Sequence, residues 1–346
     1  MKSSSNPREE KILTNTIVVT GASAGIGLAI AKRFANAGWN VAIIARDPDR
    51  LEQARKLLET SGADVLAISA DASDNEAMEG AARQVAASFG RIDVWVNNAM
   101  STIVAPAAEI KPEEYARITA TTYLSQVYGT LAALNHMRER GRGTIVQVSS
   151  GLAIRAAPLQ AAYCGAKAAV GGFTDSLRAE LIAEGSRINL SVVYLPGVNT
   201  PQPGWSRNRS GHEQLIPDPI FDPCLCAEAV YSTVKDPQRE VWVGRSSMMM
   251  AIGQAFAPSF ADRKAAEMLS AQQGEPMQYR PGNVDEPSDG PALIDGPSSD
   301  RVTGFAREYI TSRDVRVVKT ALAGSFLLAG LLARPIVTAL VRRLPR

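Results

Sequence analysis

Short apolar runs alternate with amphipathic stretches along the first two thirds of the chain. Thr16–Thr20 is a brief β-branched run closed by a glycine and reads as a buried strand. Asn40–Ala45, Asp64–Ser69, Ile92–Val96, Gly143–Val148, Ile188–Leu195 and Val241–Val243 read the same way. Between them, Ile26–Ala37, Asp49–Thr60, Asn75–Phe89, Pro112–Arg140 and Leu159–Glu184 carry helical periodicity. In the first of these, Ile26, Ile30, Phe34 and Ala37 share a face, and Gly38 ends it. Strands apolar on both faces, each followed by a helix, predict a parallel sheet covered on both sides. That is a doubly wound α/β fold, and its ligands sit beyond the C-terminal strand ends.

The alternation covers residues 13–253 and predicts one large domain there, preceded by a polar segment, residues 1–12, with no apolar stretch of the secretory type. Residues 254–300 are expected to form a linker. From Gly274 to Asp300 they are rich in Pro, Gly, Ser and Asp and lack apolar periodicity, which predicts a flexible or surface-lying stretch. Residues 301–346 form a helical tail in this reading. Ala321–Leu332 is apolar, Arg334-Pro335 interrupts it, and Ile336–Val341 resumes it. Arg313, Arg316 and Lys319 precede these runs, and Arg342, Arg343 and Arg346 follow. The continuous run falls short of the ~20 residues that span a bilayer. Membrane contact through 321–341, by spanning or by lying in the interface, and packing on the domain or on a second subunit both stay open.

Composition narrows the class. Of 346 residues, 45% are hydrophobic and 21% charged, and the net charge of +2 gives no basis for nucleic-acid binding. The three cysteines, Cys164, Cys224 and Cys226, are too few and too odd in number for a disulfide framework, which points to a reducing, cytoplasmic setting. The Cys224-Leu225-Cys226 spacing is wrong for a metal knuckle, and no metal site is expected.

Two patterns carry chemistry. The first, Thr20-Gly21-Ala22-Ser23-Ala24-Gly25-Ile26-Gly27, joins the first strand to the first helix. Gly21 suits the tight turn, Gly25 a close approach of backbone to pyrophosphate, and Gly27 close packing of helix on strand, while free N–H groups at the helix start face the phosphates. In this strand–turn–helix context, Gly21, Ser23, Gly25, Ile26 and Gly27 form a Rossmann-type nucleotide cradle. Arg46, after the second strand, suits the 2′-phosphate of NADP(H), but Asp47 follows at once, so NAD(H) stays possible. The second pattern is Tyr163 and Lys167, one helical turn apart, with Ser150 upstream. A lysine cation favours the phenolate form of a neighbouring tyrosine, and a serine hydroxyl can hold a substrate oxygen beside it.

The glycine motif, Asn97-Asn98-Ala99, Ser150, Tyr163, Lys167 and Pro196-Gly197, in this order and spacing, closely resemble the short-chain dehydrogenase/reductase family over about residues 13–244. The resemblance implies an oxidoreductase that moves a hydride between a nicotinamide and a carbonyl or alcohol carbon. It makes Tyr163 the general acid or base, gives Lys167 the nicotinamide ribose, and lets Ser150 orient the substrate carbonyl. It also implies that Asn98 and Ala99 hold the cofactor, that Asp71 lies near the adenine, and that Pro196, Gly197 and Thr200 line the nicotinamide side. Three positions depart from the family pattern. Met100 stands where Gly is usual, Thr122 where the fourth catalytic residue, an Asn, is usual, and Thr200 follows Pro196-Gly197 one residue early. Residues 200–221, with Trp205, Arg207 and Arg209, take the place of the substrate lid and suit a medium-sized or lipophilic carbonyl compound. A homo-oligomer is expected. The competing reading, motivated by Thr122 and Met100, is a cofactor-binding scaffold or sensor without turnover, tethered by its tail.

Overall fold

The computed structural model describes residues 14–303 and 308–314. The apolar tail run at 321–341 and the N-terminal segment 1–12 lie outside these. Among the described residues one sheet dominates: β1 (Thr16–Thr20), β2 (Asn40–Ala45), β3 (Val65–Ser69), β4 (Val94–Asn97), β5 (Gly143–Ser150), β6 (Ile188–Leu195), β7 (Glu240–Val243) and β8 (Tyr309–Thr311). Their order across the sheet is β8-β7-β6-β5-β4-β1-β2-β3. The first seven run parallel, and β8 closes the edge antiparallel to β7. β1 pairs with β2 on one side and β4 on the other, so the chain direction reverses there and a crevice opens at the strand ends.

Alternation along each strand divides the core into two layers. Ile17, Val19, Val41, Ile43, Val94 and Val96 face one side, where α1 (Gly25–Ala35) and α2 (Pro48–Glu59) cover them with Leu28, Phe34 and Leu51. Val18, Ala42, Ile44, Trp95 and Ile145 face the other, under α3 (Asn75–Phe89), α5 (Ser125–Arg140) and α6 (Ala161–Ala183). The stretch 112–140, read as helical throughout, is α4 (Pro112–Thr119) and α5 joined by a π-helical turn at Ala120–Leu124. Such turns insert a residue into the helical ladder and re-aim the side chains beside it.

The largest departure from the expected organisation lies beyond residue 243. After α7 (Pro223–Lys235) and β7, the chain forms two further helices, α8 (Gly244–Phe256) and α9 (Pro258–Ala271). The segment after them, expected to be a flexible linker or a long surface loop, lies along the domain as an ordered stretch. Val284 is fully buried with Ile103, Ile118, Ala162 and Ala166, and the Gly25 N–H donates to the Leu293 carbonyl at 2.7 Å. Its polar composition gave no sign of this, because its bonds are made by backbone groups and answered from distant parts of the sequence.

Beneath the crevice a polar cluster replaces apolar core. Trp95 Nε1 donates to Asn97 Oδ1 at 2.8 Å, and Asn97 Nδ2 donates to Thr130 Oγ1 and Gln147 Oε1 at 2.9 and 3.0 Å. Gln147 Nε2 donates to Thr130 Oγ1 at 2.8 Å, and Asn97, Thr130 and Gln147 are all fully buried. The cluster fits only because residue 129 on α5 has no side chain: a Cβ there would stand 2.2 Å from Asn97 Oδ1 and 2.7 Å from Trp95 Nε1. In a helix interior Gly→Ala ordinarily stabilises by about 0.5–1 kcal/mol. Here the sign reverses. Gly129→Ala is expected to cost about 2–4 kcal/mol from overpacking and unmade buried hydrogen bonds, read as a lower denaturation midpoint at unchanged slope.

Candidate active site

The β1–α1 turn meets the end of β4 in a tight clasp. Gly21 has φ +66°, and a Cβ on it would lie 2.8 Å from the Ala99 Cα. A Cβ on Gly27 would lie 2.2 Å from the Gly21 carbonyl oxygen. Asn98 Nδ2 donates to the Thr20 and Gly21 carbonyls at 3.0 and 3.2 Å, and the Asn98 and Ala99 N–H groups donate to Thr20 Oγ1. Asn98 therefore fixes the loop itself. Helix α1 begins at Gly25 with no side-chain cap, which leaves donors at its start.

One cleft, with a cavity volume of about 390 Å³, runs from this loop past the ends of β4, β5 and β6. Gly21, Ser23, Gly25, Ile26, Gly27, Arg46, Asp71, Asn98 and Ala99 line one part of it, and Pro196, Gly197 and Thr200 line the wall after β6. Ser150, Tyr163 and Lys167 line it too, so the two sequence patterns meet in the same crevice. The far end is largely apolar, with Met100, Leu152, Leu215, Ile216, Met250 and Met268, and Gln160 Nε2 donates to Gln272 Oε1 at 2.8 Å between them. Met250 belongs to α8 and Met268 to α9, so helices outside the alternating pattern complete that end.

Ser150 ends β5, while Tyr163 and Lys167 stand on one face of α6, and all three are almost fully buried at 8%, 9% and 2% exposure. Lys167 Nζ donates to the Val148 carbonyl at 2.6 Å and lies 5.9 Å from the centre of the Tyr163 ring. Burial lowers the lysine to about 7. Burial likewise pushes the Tyr163 phenol above its ordinary value, against the opposing pull of a hydrogen bond with the Ser150 hydroxyl. The expectation that Lys167 depresses the phenol is not met in the ligand-free protein. Desolvation acts on both groups, and a lysine driven towards its neutral form no longer favours a phenolate.

Other expected residues already have protein partners. The Arg46 guanidinium donates to the carbonyls of Asn283, Val284 and Asp285, the last at 2.9 Å, and so meets the chain's own backbone. Asp71 takes Arg117 Nη2 at 2.7 Å and the Ser73 N–H and hydroxyl. Burial works to raise its carboxyl, but these donors outweigh it and hold it below the usual range. Thr122 is fully buried in the π turn. Its hydroxyl donates to the Ser101 carbonyl at 2.9 Å and accepts from the Ser101 N–H. It is Thr121, its neighbour, that lines the cleft.

Residues 200–221 do form a cover. A short turn at Gln202–Trp205 leads to Arg207–Asn208, which pairs with Ile103–Val104. Buried Glu114 on α4 accepts Arg207 Nη1 at 2.9 Å and Arg209 Nη1 at 2.8 Å, which ties the cover to the domain. The fit to a dinucleotide rests on the glycine positions that a Cβ would fill, and on two buried atoms of the cleft wall, Gln202 Nε2 and Asn283 Oδ1, that have no protein partner.

Comparison with known proteins agrees with this geometry. A family model described as short chain dehydrogenase matches residues 15–209. A Bacillus subtilis (strain 168) protein named "Uncharacterized oxidoreductase YxnA" is 30% identical over 334 residues, covering 94% of this chain and 90% of its own. A fatty acyl-CoA reductase of Acinetobacter baylyi is 31% identical over 252 residues, covering 72% of this chain and 82% of its own. An alcohol dehydrogenase structure from the archaeon Thermococcus sibiricus, complexed with 5-hydroxy-NADP, superposes with a TM-score of 0.58 at 26% identity, over 66% of this chain and 95% of that one. The chain belongs to the short-chain dehydrogenase family of oxidoreductases.

Proposed function

We propose that this protein interconverts a carbonyl compound and the corresponding alcohol with a nicotinamide dinucleotide, Tyr163 handling the proton. The observation that carries this reading is the meeting of Ser150, Tyr163 and Lys167 with the glycine cradle in one cleft. When bound, the dinucleotide supplies or accepts the hydride. Tyr163, raised by burial, keeps its proton at neutral pH and is suited to give it to a substrate oxygen in the direction of reduction. The Ser150 hydroxyl, which lines the same cleft as the phenol, orients that oxygen. Lys167 Nζ, held by the Val148 carbonyl, binds the ribose next to the nicotinamide and brings positive charge back to the phenol when protonated. Asn98, Ala99, Pro196, Gly197 and Thr200 are assigned to the cofactor, and Asp71 to the surroundings of the adenine. NADP(H) is preferred over NAD(H) in this reading. The 5-hydroxy-NADP in the archaeal relative supports that preference, and Arg46 at the end of β2 would join in only on exchanging its bonds to the 283–285 carbonyls for the 2′-phosphate.

The substrate is proposed to be a lipophilic carbonyl compound of medium size, on the strength of the apolar far end and of the Acinetobacter relative's name. No helix among the described residues is long and apolar enough to cross a membrane, and the run at 321–341 lies outside them.

Two variants test the assignment. With NADPH and a panel of aldehydes and ketones, Tyr163→Phe is expected to lower kcat by about 10²–10⁴-fold while NADPH affinity stays within about twofold. Activity near that of the unaltered protein removes Tyr163 from the chemistry. Lys167→Met should lose turnover yet melt at a higher temperature without cofactor. Burial lowers the folded lysine to about 7, whereas the unfolded one keeps its ordinary value of 10.5, so the folded state binds fewer protons between those limits and wild-type stability climbs with pH there. The variant's advantage is therefore largest below pH 7 and shrinks towards pH 10.5, a trend that melting curves across this range will reveal or refute.

A further inference from the structure

We infer that residues 281–296 are a roof over the dinucleotide site that must lift for the cofactor to enter and leave. The inference rests on the dinucleotide reading of the cleft and extends it to a part of the chain outside every motif of the cradle.

The segment crosses the cleft from wall to wall. At the β2 end its carbonyls at 283, 284 and 285 take the Arg46 guanidinium, and Arg117 Nε donates to the Val284 carbonyl at 3.1 Å. Farther along, Arg50 Nε donates to the Gly290 carbonyl at 3.0 Å and its Nη2 to the Ser288 carbonyl. The Leu293 carbonyl then takes the first free N–H of α1, at Gly25. Beyond it the Gly296 N–H donates to the Asn199 carbonyl at 3.3 Å, beside Thr200 on the opposite wall. The floor of the cleft is thus the glycine loop and the strand ends, and Asn283, Pro287 and Ser288 line it from the segment.

Two features separate a roof from a plug. The cavity beneath the segment persists over the glycine loop, since Gly21, Ser23, Ile26 and Gly27 still line it. The inner surface of the cover is also unfinished. Asn283 Nδ2 donates to Gln202 Oε1 at 3.4 Å, but the complementary atoms of the same two amides, Gln202 Nε2 and Asn283 Oδ1, are buried without partners. A buried donor and acceptor left open together are costly unless something fills them. A group that both donates and accepts, such as a ribose hydroxyl or the edge of an adenine, satisfies both.

The roof is held by a row of edge hydrogen bonds, most of them partly buried and made largely to arginines, rather than by a large apolar interface, with Val284 as its one fully buried apolar side chain. Bonds of this kind open at modest cost, which suits a moving element. Gln53 offers a clean handle: its Oε1 accepts from the Ala292 N–H at 3.1 Å, and it lies outside the cleft.

The test uses the full chain loaded with NADPH. Release is followed by loss of bound-nucleotide fluorescence after a chase with excess NADP⁺, in wild type, Gln53→Ala and Arg50→Ala. Hydrogen–deuterium exchange over residues 286–293 is measured with and without NADPH. Release is expected to be about threefold faster in Gln53→Ala and about tenfold faster in Arg50→Ala, with slower exchange of the segment once NADPH is bound. Release rates equal to wild type in both variants overturn the roof, as does exchange indifferent to NADPH. Faster association with unchanged release also overturns it, since that marks a competitor for the site. Failure of wild type to bind either NADPH or NADH is a different outcome, because it removes the dinucleotide reading itself.

Discussion

Everything at the crevice depends on how closely two strand ends approach each other. β1 and β4 are neighbours only because the chain reverses direction across the sheet at that point, and the turn after β1 then lies against the backbone after β4. There is no room for a side chain at Gly21 or Gly27, and Asn98 ties the two ends with bonds to the Thr20 and Gly21 carbonyls. The Gly21 N–H donates to the Ile44 carbonyl and the Gly25 N–H to the Leu293 carbonyl, so the loop is fixed from both sides at the start of α1, where a phosphate is favoured. The buried amide cluster of Asn97, Thr130 and Gln147 stands directly below and fixes β4 to β5 and α5 through directional bonds that apolar packing does not supply.

On that rigid floor the protein uses burial as a chemical variable. Tyr163 and Lys167 are shifted in opposite directions by the same desolvation, the phenol towards keeping its proton and the ammonium towards losing it. The two helices after β7 and the cover at 200–221 wall the same cleft as the pair. The cover depends in turn on Glu114, whose carboxylate collects two arginines. The cleft around the pair is thereby completed by elements far outside the nucleotide-binding half of the chain.

Much of this was legible in the residues alone. Strands apolar on both faces, helices between them and glycines at one turn define the sheet, its doubly wound character and the cleft-lining positions. What stayed hidden has physical reasons. The π turn at Ala120–Leu124 differs from an α-helical turn by one inserted residue, which periodicity over so short a stretch does not resolve. β8 is three residues long and pairs at an edge. The segment after α9 contributes carbonyls and amides, which every sequence possesses; of its partners, Arg46 reads as a ligand-facing cation, and Arg50 and Arg117 belong to no motif. The upward shift of the phenol depends on how completely Tyr163 is enclosed, and enclosure is a property of the assembled fold.

Val284 gives the segment over the cleft a fixed origin. It is wedged against Ala162 and Ala166, which flank Tyr163 on the same helix, while Leu293, nine residues on, is tied to the start of α1. A chain between two pinned points behaves like a cord of set length, since each residue adds at most about 3.3–3.6 Å of reach. Extra residues between 284 and 293 can bow outward into solvent at little cost, whereas losing residues shortens the cord and pulls on the helix that carries the tyrosine. Length variation in this stretch is therefore asymmetric in its effect: insertions are absorbed locally, and deletions are transmitted to the site of proton transfer.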